Sequence, residues 1–483
     1  MIPILLITPI AAALFSALAR RTQQRAIEYA AVAAGAIELL VALAIAGTTL
    51  TGSVVFALPL FSVDALGAFA LIFTTLVGFA AALHSVGYLR QEREKDIIGF
   101  RRIREYYTLF HLFFFAMFVA ATTASPIIMW TAIEATTLAT AFLISFYNKP
   151  SAIEAGWKHL IVNSVGLLLG FLGTLLFFNA AASAGDPHTF VTWDVLRVLS
   201  VSLDPALIKI AFIFCLVGYG TKVGLVPMHT WLPDAHSKAP APISSLLSGV
   251  LLNMALIAVL RFRTITDSLV DPSFTQYLLI GFGLVSLIVA ALIIFGQKNY
   301  KRMLAYSSIE HMGLMTIGFA VGGAATVAAL FHMLYHALLK PILFFCAGNF
   351  FLKYSSTKTL KIGGALTLIP FSAIAFFAAL LAVSGIPPSG IFFTKLSILS
   401  AGIDAFPFSM FLVMVALALI LTGFLKSATS MLFSEPPQDL EKGEANGWTT
   451  VSIAFLGTLF IVLSIYVPLP LIALITNAAH LLQ

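Results

Sequence analysis

Apolar runs of about 20 residues follow one another along the whole chain, and this recurrence dictates what it can fold into. A helix rising about 1.5 Å per residue needs a run of that length to cross a hydrocarbon layer of ~30 Å. Backbone amides in lipid find no water, so such runs form helices that close their hydrogen bonds internally. Composition agrees: 60% of the 483 residues are hydrophobic and 10% charged, against roughly 25% charged in a water-soluble domain. The expected fold class is an all-α polytopic membrane protein of about fourteen transmembrane helices. The first run, Ile2 to Leu18, has Arg20-Arg21 behind it and no basic stretch ahead, so it reads as a span and not a leader.

Two runs are too long for a simple span and are interrupted. The seventh, 205–231, is loosened from Gly218 to Pro227. The twelfth, 364–402, contains Gly385, Pro387, Pro388 and Gly390, where prolines remove amide donors and glycines add slack. Broken backbone at membrane depth is tolerated only inside protein or along a wet cavity. The breaks lie five spans apart, which predicts a repeat of spans four to eight and nine to thirteen. An odd number of spans per unit makes such a repeat inverted, a transporter plan. The expected organisation is a three-helix segment (1–105), a first repeat (106–265), a second (276–432), and a C-terminal loop with the last helix (433–483).

Most of the 27 basic residues fall in loops after odd-numbered spans, among them Arg20, Arg21, Arg25, the group Arg90 to Arg104, and Lys298, Lys301 and Arg302. The positive-inside rule makes those loops cytoplasmic and turns both termini outward. This asymmetry accounts for the basic excess with no nucleic-acid partner. Cys215 and Cys346 lie in apolar runs without metal-ligand spacing, and no nucleotide-binding motif is found. No catalytic centre, cofactor or metal is therefore expected on this chain.

Glu38, Glu134, Lys222, Glu310, Lys340 and Lys395 are charged residues in or near apolar spans. Each costs roughly 2.5–3.5 kcal/mol at bilayer depth, which makes each a functional candidate; a structural ion pair or a snorkelling lysine is the alternative. Glu134 lies roughly 12 Å into its span, and Lys222 lies in the loosened seventh. Moving such a pair together or apart switches whether the lysine holds its proton. His332, His336 and Lys340 share one helical face at i, i+4 and i+8. They suit a water-linked proton relay, or histidines satisfied by hydroxyls in the bundle. Glu310 and His311, about two turns from the cytoplasmic end of span ten, suit proton uptake, a connection between half-channels, or an interfacial structural role. Glu38 is expected in a structural polar contact, and His84 and His111 at the interfaces.

The run Lys222 to His236 with Ala239-Pro240-Ala241-Pro242-Ile243-Ser244 resembles the signature of the antiporter-like subunits of respiratory complex I and its relatives. So do Lys301 to Ser308, His332 to Gly348, and Gly385 to Gly390 with Lys395, and the likeness covers roughly 60–430. Ser307 to Gly313 and Ser248 to Asn253 are most similar to component F of hydrogenase-4-type complexes. The resemblance implies two inverted five-helix repeats, discontinuous helices seven and twelve, and a proton path along a polar axis. It makes Glu134 the fifth-helix glutamate, Lys222 the seventh-helix lysine and Lys395 the twelfth-helix terminal lysine. Asn253 stands where many relatives have an eighth-helix lysine, so the central relay must use water or His332 and His336.

The resemblance also implies other membrane subunits, a peripheral redox arm carrying Fe–S clusters and, in hydrogenase-type relatives, a [NiFe] site, all in a prokaryotic plasma membrane. The rival readings are a subunit of a multi-subunit Na+/H+ antiporter, a subunit of an inorganic-carbon uptake system, and a non-conducting scaffold.

Overall fold

The computed structural model describes residues 1–50, 52–58, 60–184, 191–444 and 446–482. The chain is almost entirely helical. The first helices are α1 (Ile2–Leu18), α2 (Gln24–Thr49), α3 (Ala65–Glu94), α4 (Phe100–Thr122), α5 (Pro126–Ile144), α6 (Pro150–Ala184) and the short α7 (Trp193–Leu199). Next come α8 (Pro205–Val223), α9 (Trp231–Lys238), α10 (Ala241–Leu246), α11 (Leu252–Asp267), α12 (Ser273–Gly296), α13 (Tyr300–Val321) and α14 (Ala324–Tyr354). The series ends with α15 (Ala365–Leu368), α16 (Pro370–Ser384), α17 (Gly390–Gly402), α18 (Pro407–Leu432), α19 (Gly447–Ile465) and α20 (Leu469–His480). Among the described residues the one sheet is a hairpin of β1 (Val55–Leu58) and β2 (Phe61–Val63).

Among the described residues, 11 helical stretches are long and apolar enough to cross a membrane, and four shorter apolar helices accompany them. α13 has the length of a span but is too polar to count among the 11. Its position explains why that composition is tolerated: every residue from Met303 to Ala320 is buried, so its charges meet protein on all sides. The stretch from Ala241 to Leu260 is equally enclosed, whereas α18 turns much of its surface outward. Many polar groups are thus buried inside the bundle, while large apolar side chains such as Leu40, Phe408 and Ile465 face outward.

The structure differs from expectation in three places. Gly218 does not loosen the seventh run, because α8 continues unbroken to Val223. A Cβ on Gly218 would lie 2.1 Å from the Gly170 amide nitrogen, so this glycine instead lets α6 and α8 touch backbone to backbone. The sixth run begins at Pro150, since Glu154 and Lys158 pair on its exposed face at 2.6 Å and ride on the helix. The last run divides at Pro468 into α19 and α20.

Candidate functional site

The first break lies between α8 and α9. Gly224 ends α8 in the left-handed region at φ +83, and Pro227 follows three residues later. The groups freed there find partners: Trp231 Nε1 donates to the Thr221 carbonyl at 2.9 Å, and the Val226 amide donates to Ser286 Oγ at 2.9 Å. Lys222 occupies the last turn of α8, fully buried, and its Nζ donates to Thr137 Oγ1 at 2.8 Å. Thr137 donates in turn to Glu134 Oε2 at 3.3 Å, and Ser164 Oγ donates to Glu134 Oε1 at 2.6 Å. Lys222 and Glu134 are therefore bridged by one hydroxyl and make no direct ion pair. Glu134 is half-buried.

The second break separates α16 from α17. Gly385 ends α16 at φ +89, and the Ser389 hydroxyl caps α17 by accepting from the Phe392 amide. A Cβ on Gly385 would sit 2.9 Å from Lys395 Cδ, so glycine is needed for clearance as well as conformation. Lys395 Nζ donates to Glu310 Oε1 at 3.1 Å and to the Val383 and Ser384 carbonyls at 3.2 and 3.3 Å. Next to this ion pair, His311 Nδ1 lies 2.7 Å from His332 Nε2, and His332 Nδ1 lies 2.8 Å from Thr394 Oγ1. Glu310 Oε2 approaches His311 Nε2 to 3.2 Å, outside hydrogen-bond geometry. Glu310, His311, His332, His336 and Lys340 are completely buried.

The sequence-expected residues thus fall into two groups. Glu134 and Lys222 meet through Thr137, whereas Lys395 pairs with Glu310 and His311 with His332, the two pairs lying side by side without a hydrogen bond between Glu310 and His311. Lys340 donates to the Leu304 carbonyl at 3.0 Å. The His336 ring lies tilted at 50° to that of His311, with centroids 5.2 Å apart, and has no hydrogen-bond partner among the described residues. Asn253 follows a π-helical segment, Leu247–Leu251, and donates to the Gly249 carbonyl at 2.9 Å.

Three expectations are corrected. α13 begins at Tyr300, which puts Glu310 ten residues in, roughly 15 Å, at mid-helix and not near the cytoplasmic end. Glu38 is buried, but its Oε1 has no hydrogen-bond partner among the described residues, so it makes no polar contact there. His84 and His111 do not lie at helix ends but within α3 and α4, and both are buried, His84 within 2.9 Å of Ser452 Oγ and stacked on Phe345.

Several polar groups escaped the sequence reading. His159 lies 2.8 Å from Thr140 Oγ1, one turn along α5 from the Thr137 bridge. His236 is fully buried on α9, stacked on Phe344 and unpartnered among the described residues. Glu92 is buried, accepts from Tyr147 at 2.5 Å, and hides in the sequence among basic loop residues. No group of three or more His, Cys, Asp or Glu arranged to hold a metal occurs among the described residues.

Residues 123–422 match the family described as NADH:quinone oxidoreductase/Mrp antiporter, TM. The chain is 36% identical over 383 residues to a hydrogenase-4 component F homolog of Methylacidiphilum infernorum, covering 78% of this chain and 80% of that protein. It is 28% identical to hydrogenase-4 component B of Escherichia coli, with 67% of this chain matched but only 48% of that one. In fold it resembles a chain of the membrane-bound sulfane sulfur reductase, an archaeal respiratory membrane complex, with TM-score 0.87, 22% identity, and 100% of this chain and 97% of that one covered. A chain of the Mrp complex from a Dietzia species superposes with TM-score 0.87 at 20% identity, covering 99% and 96%. The chain belongs to the membrane-subunit family of NADH:quinone oxidoreductases and Mrp antiporters.

Proposed function

We propose that this chain is the proton-translocating membrane subunit of a complex I-related oxidoreductase of the hydrogenase-4 type. The observation that carries the reading is that a buried lysine at each helix break joins a string of polar side chains: Lys222 through Thr137 to Glu134, and Lys395 through Glu310 towards His311 and His332. A proton taken up at Glu134 would displace the charge on Lys222. His159, His236 and Lys340 would carry the proton between the two groups, and Lys395 would deliver it to one side. One pKa unit corresponds to about 1.36 kcal/mol and the membrane potential to about 2.3 kcal/mol per 100 mV, so small movements at these sites suffice for coupling.

In this proposal the chain has fourteen spans in two inverted repeats, with both termini on the outer face of a prokaryotic plasma membrane. The matching Gly224-Leu225-Val226-Pro227 and Gly385-Ile386-Pro387-Pro388 breaks support the repeats. Neighbouring membrane subunits and a peripheral redox arm with Fe–S clusters, and a [NiFe] site in a hydrogenase, would drive it. An Mrp-type cation reading shares the fold. It is disfavoured because both broken ends present lysine amines, which repel a metal cation.

Proton uptake into inverted vesicles carrying the assembled complex and driven by its electron donor tests the proposal. Lys222→Ala should abolish uptake while the complex stays assembled and electron transfer continues or slows. Uptake at the native rate would leave the buried charges structural and favour a scaffold.

A further inference from the structure

We infer that the groove between α4, α5 and α6 binds an anionic diacyl glycerophospholipid. The groove encloses about 780 Å³ and opens sideways from the bundle. Its walls are apolar, with Leu138 and Phe142 of α5 and Trp157 of α6 all strongly exposed. Its mouth is polar and carries Arg102, Arg104, Ser145 and Asn148. This mouth lies at the end of the bundle where the basic residues concentrate, the cytoplasmic end by the positive-inside rule.

Two features identify the occupant. The first is depth: Leu138 lies seven residues before Ser145, the C-cap of α5, roughly 10 Å along the helix, which falls within one leaflet of a ~30 Å hydrocarbon core. The apolar wall therefore lies within one leaflet, with the polar mouth at headgroup level and Trp157 exposed as interfacial tryptophans are. The second is charge: Arg101 and Arg102 both pair with Glu105, at 2.8 and 3.0 Å, and consume its charge. Arg104 lines the same mouth without an acidic partner among the described residues. An unpaired guanidinium above an apolar slot within one leaflet suits a lipid phosphate, which accepts two parallel N–H bonds.

The site bears on Glu134. Glu134, Leu138, Phe142 and Ser145 fall at i, i+4, i+8 and i+11, one face of α5. A chain bound against Leu138 ends one turn from the half-buried carboxylate and shields that side from water.

The test is lipid retention by the assembled complex, purified in detergent and analysed by native mass spectrometry and lipid extraction, then after exchange into vesicles of phosphatidylcholine with or without phosphatidylglycerol or cardiolipin. Native protein should retain the anionic lipid in preference to phosphatidylcholine. Arg104→Gln should weaken retention about five-fold, Arg104→Lys should keep most of it, and Leu138→Trp should displace the chain. The proposal is overturned by equal retention of phosphatidylcholine, or by native-like retention in both Arg104→Gln and Leu138→Trp. A quantitative cross-link from Phe142→Cys to a neighbouring subunit would also overturn it, because protein would then fill the groove. None of these readouts depends on proton transport.

Discussion

The two broken helices use one backbone device and handle their lysines in opposite ways. Each break opens with a left-handed glycine, Gly224 at φ +83 and Gly385 at φ +89, followed by a proline three residues on. Lys222 stands before its glycine, and its one hydrogen bond among the described residues is to the neutral hydroxyl of Thr137. Lys395 stands ten residues after its glycine and is held by Glu310 and two backbone carbonyls. A buried charge with a neutral partner is the easier one to discharge, because no counter-ion is stranded when the proton leaves. A buried charge inside an ion pair is an anchor whose partner must be neutralised with it. A relay that must both hold a proton and release it can assign these duties to different ends, and the difference between the breaks is of that kind.

The largest expected effect is on the anchored side. Lys395→Met strands the Glu310 carboxylate and should cost about 3–5 kcal/mol of stability, with most of it recovered in the Lys395→Met/Glu310→Gln double variant. Thermal unfolding of the purified complex measures both, and additive losses would mean that the pair is not coupled. Gly385→Ala comes next, since its Cβ meets Lys395 Cδ at 2.9 Å in a left-handed conformation. It should cost about 1–2 kcal/mol and reduce proton uptake as Lys395 is displaced. Lys222→Met should cost only about 1 kcal/mol, the loss of one hydrogen bond, yet stop uptake altogether. A stability loss equal to that of Lys395→Met would erase the contrast between the breaks. The smallest effect belongs to Asn253→Leu, which removes a bond from the side chain to its own helix and should leave uptake within about two-fold, as expected if the route passes through histidines.

Both breaks were readable because proline and glycine act locally on the backbone, wherever the chain goes afterwards. The buried charges were readable because lipid makes each of them expensive. What the sequence concealed depends on packing between distant segments. Glu310 reads as an isolated acid eight residues into an apolar run, and only the packing of α17 against α13 supplies Lys395. Thr137 reads as an ordinary helix residue until Lys222 arrives from a segment 85 positions away. His159 follows Trp157 and Lys158 and so looks interfacial, although the inward turn of α6 buries it. Gly218 shows the reverse error, since a glycine near a break suggests slack and here serves close contact between helices.

The seat of Lys395 has one more consequence. Its amine rests on the carbonyls of Val383 and Ser384, the last residues of α16. The C-terminal end of a helix carries a partial negative charge, and a cation placed there contributes about 0.3–1 kcal/mol, rising to roughly 2 when partly buried. Lys395 is therefore a fastener between two half-helices as well as a carrier of charge. Loss of its proton would remove the counter-charge at the tip of α16 at the same instant. Protonation and the hold between the half-helices become a single variable, so a chemical event at one nitrogen atom is also a mechanical one.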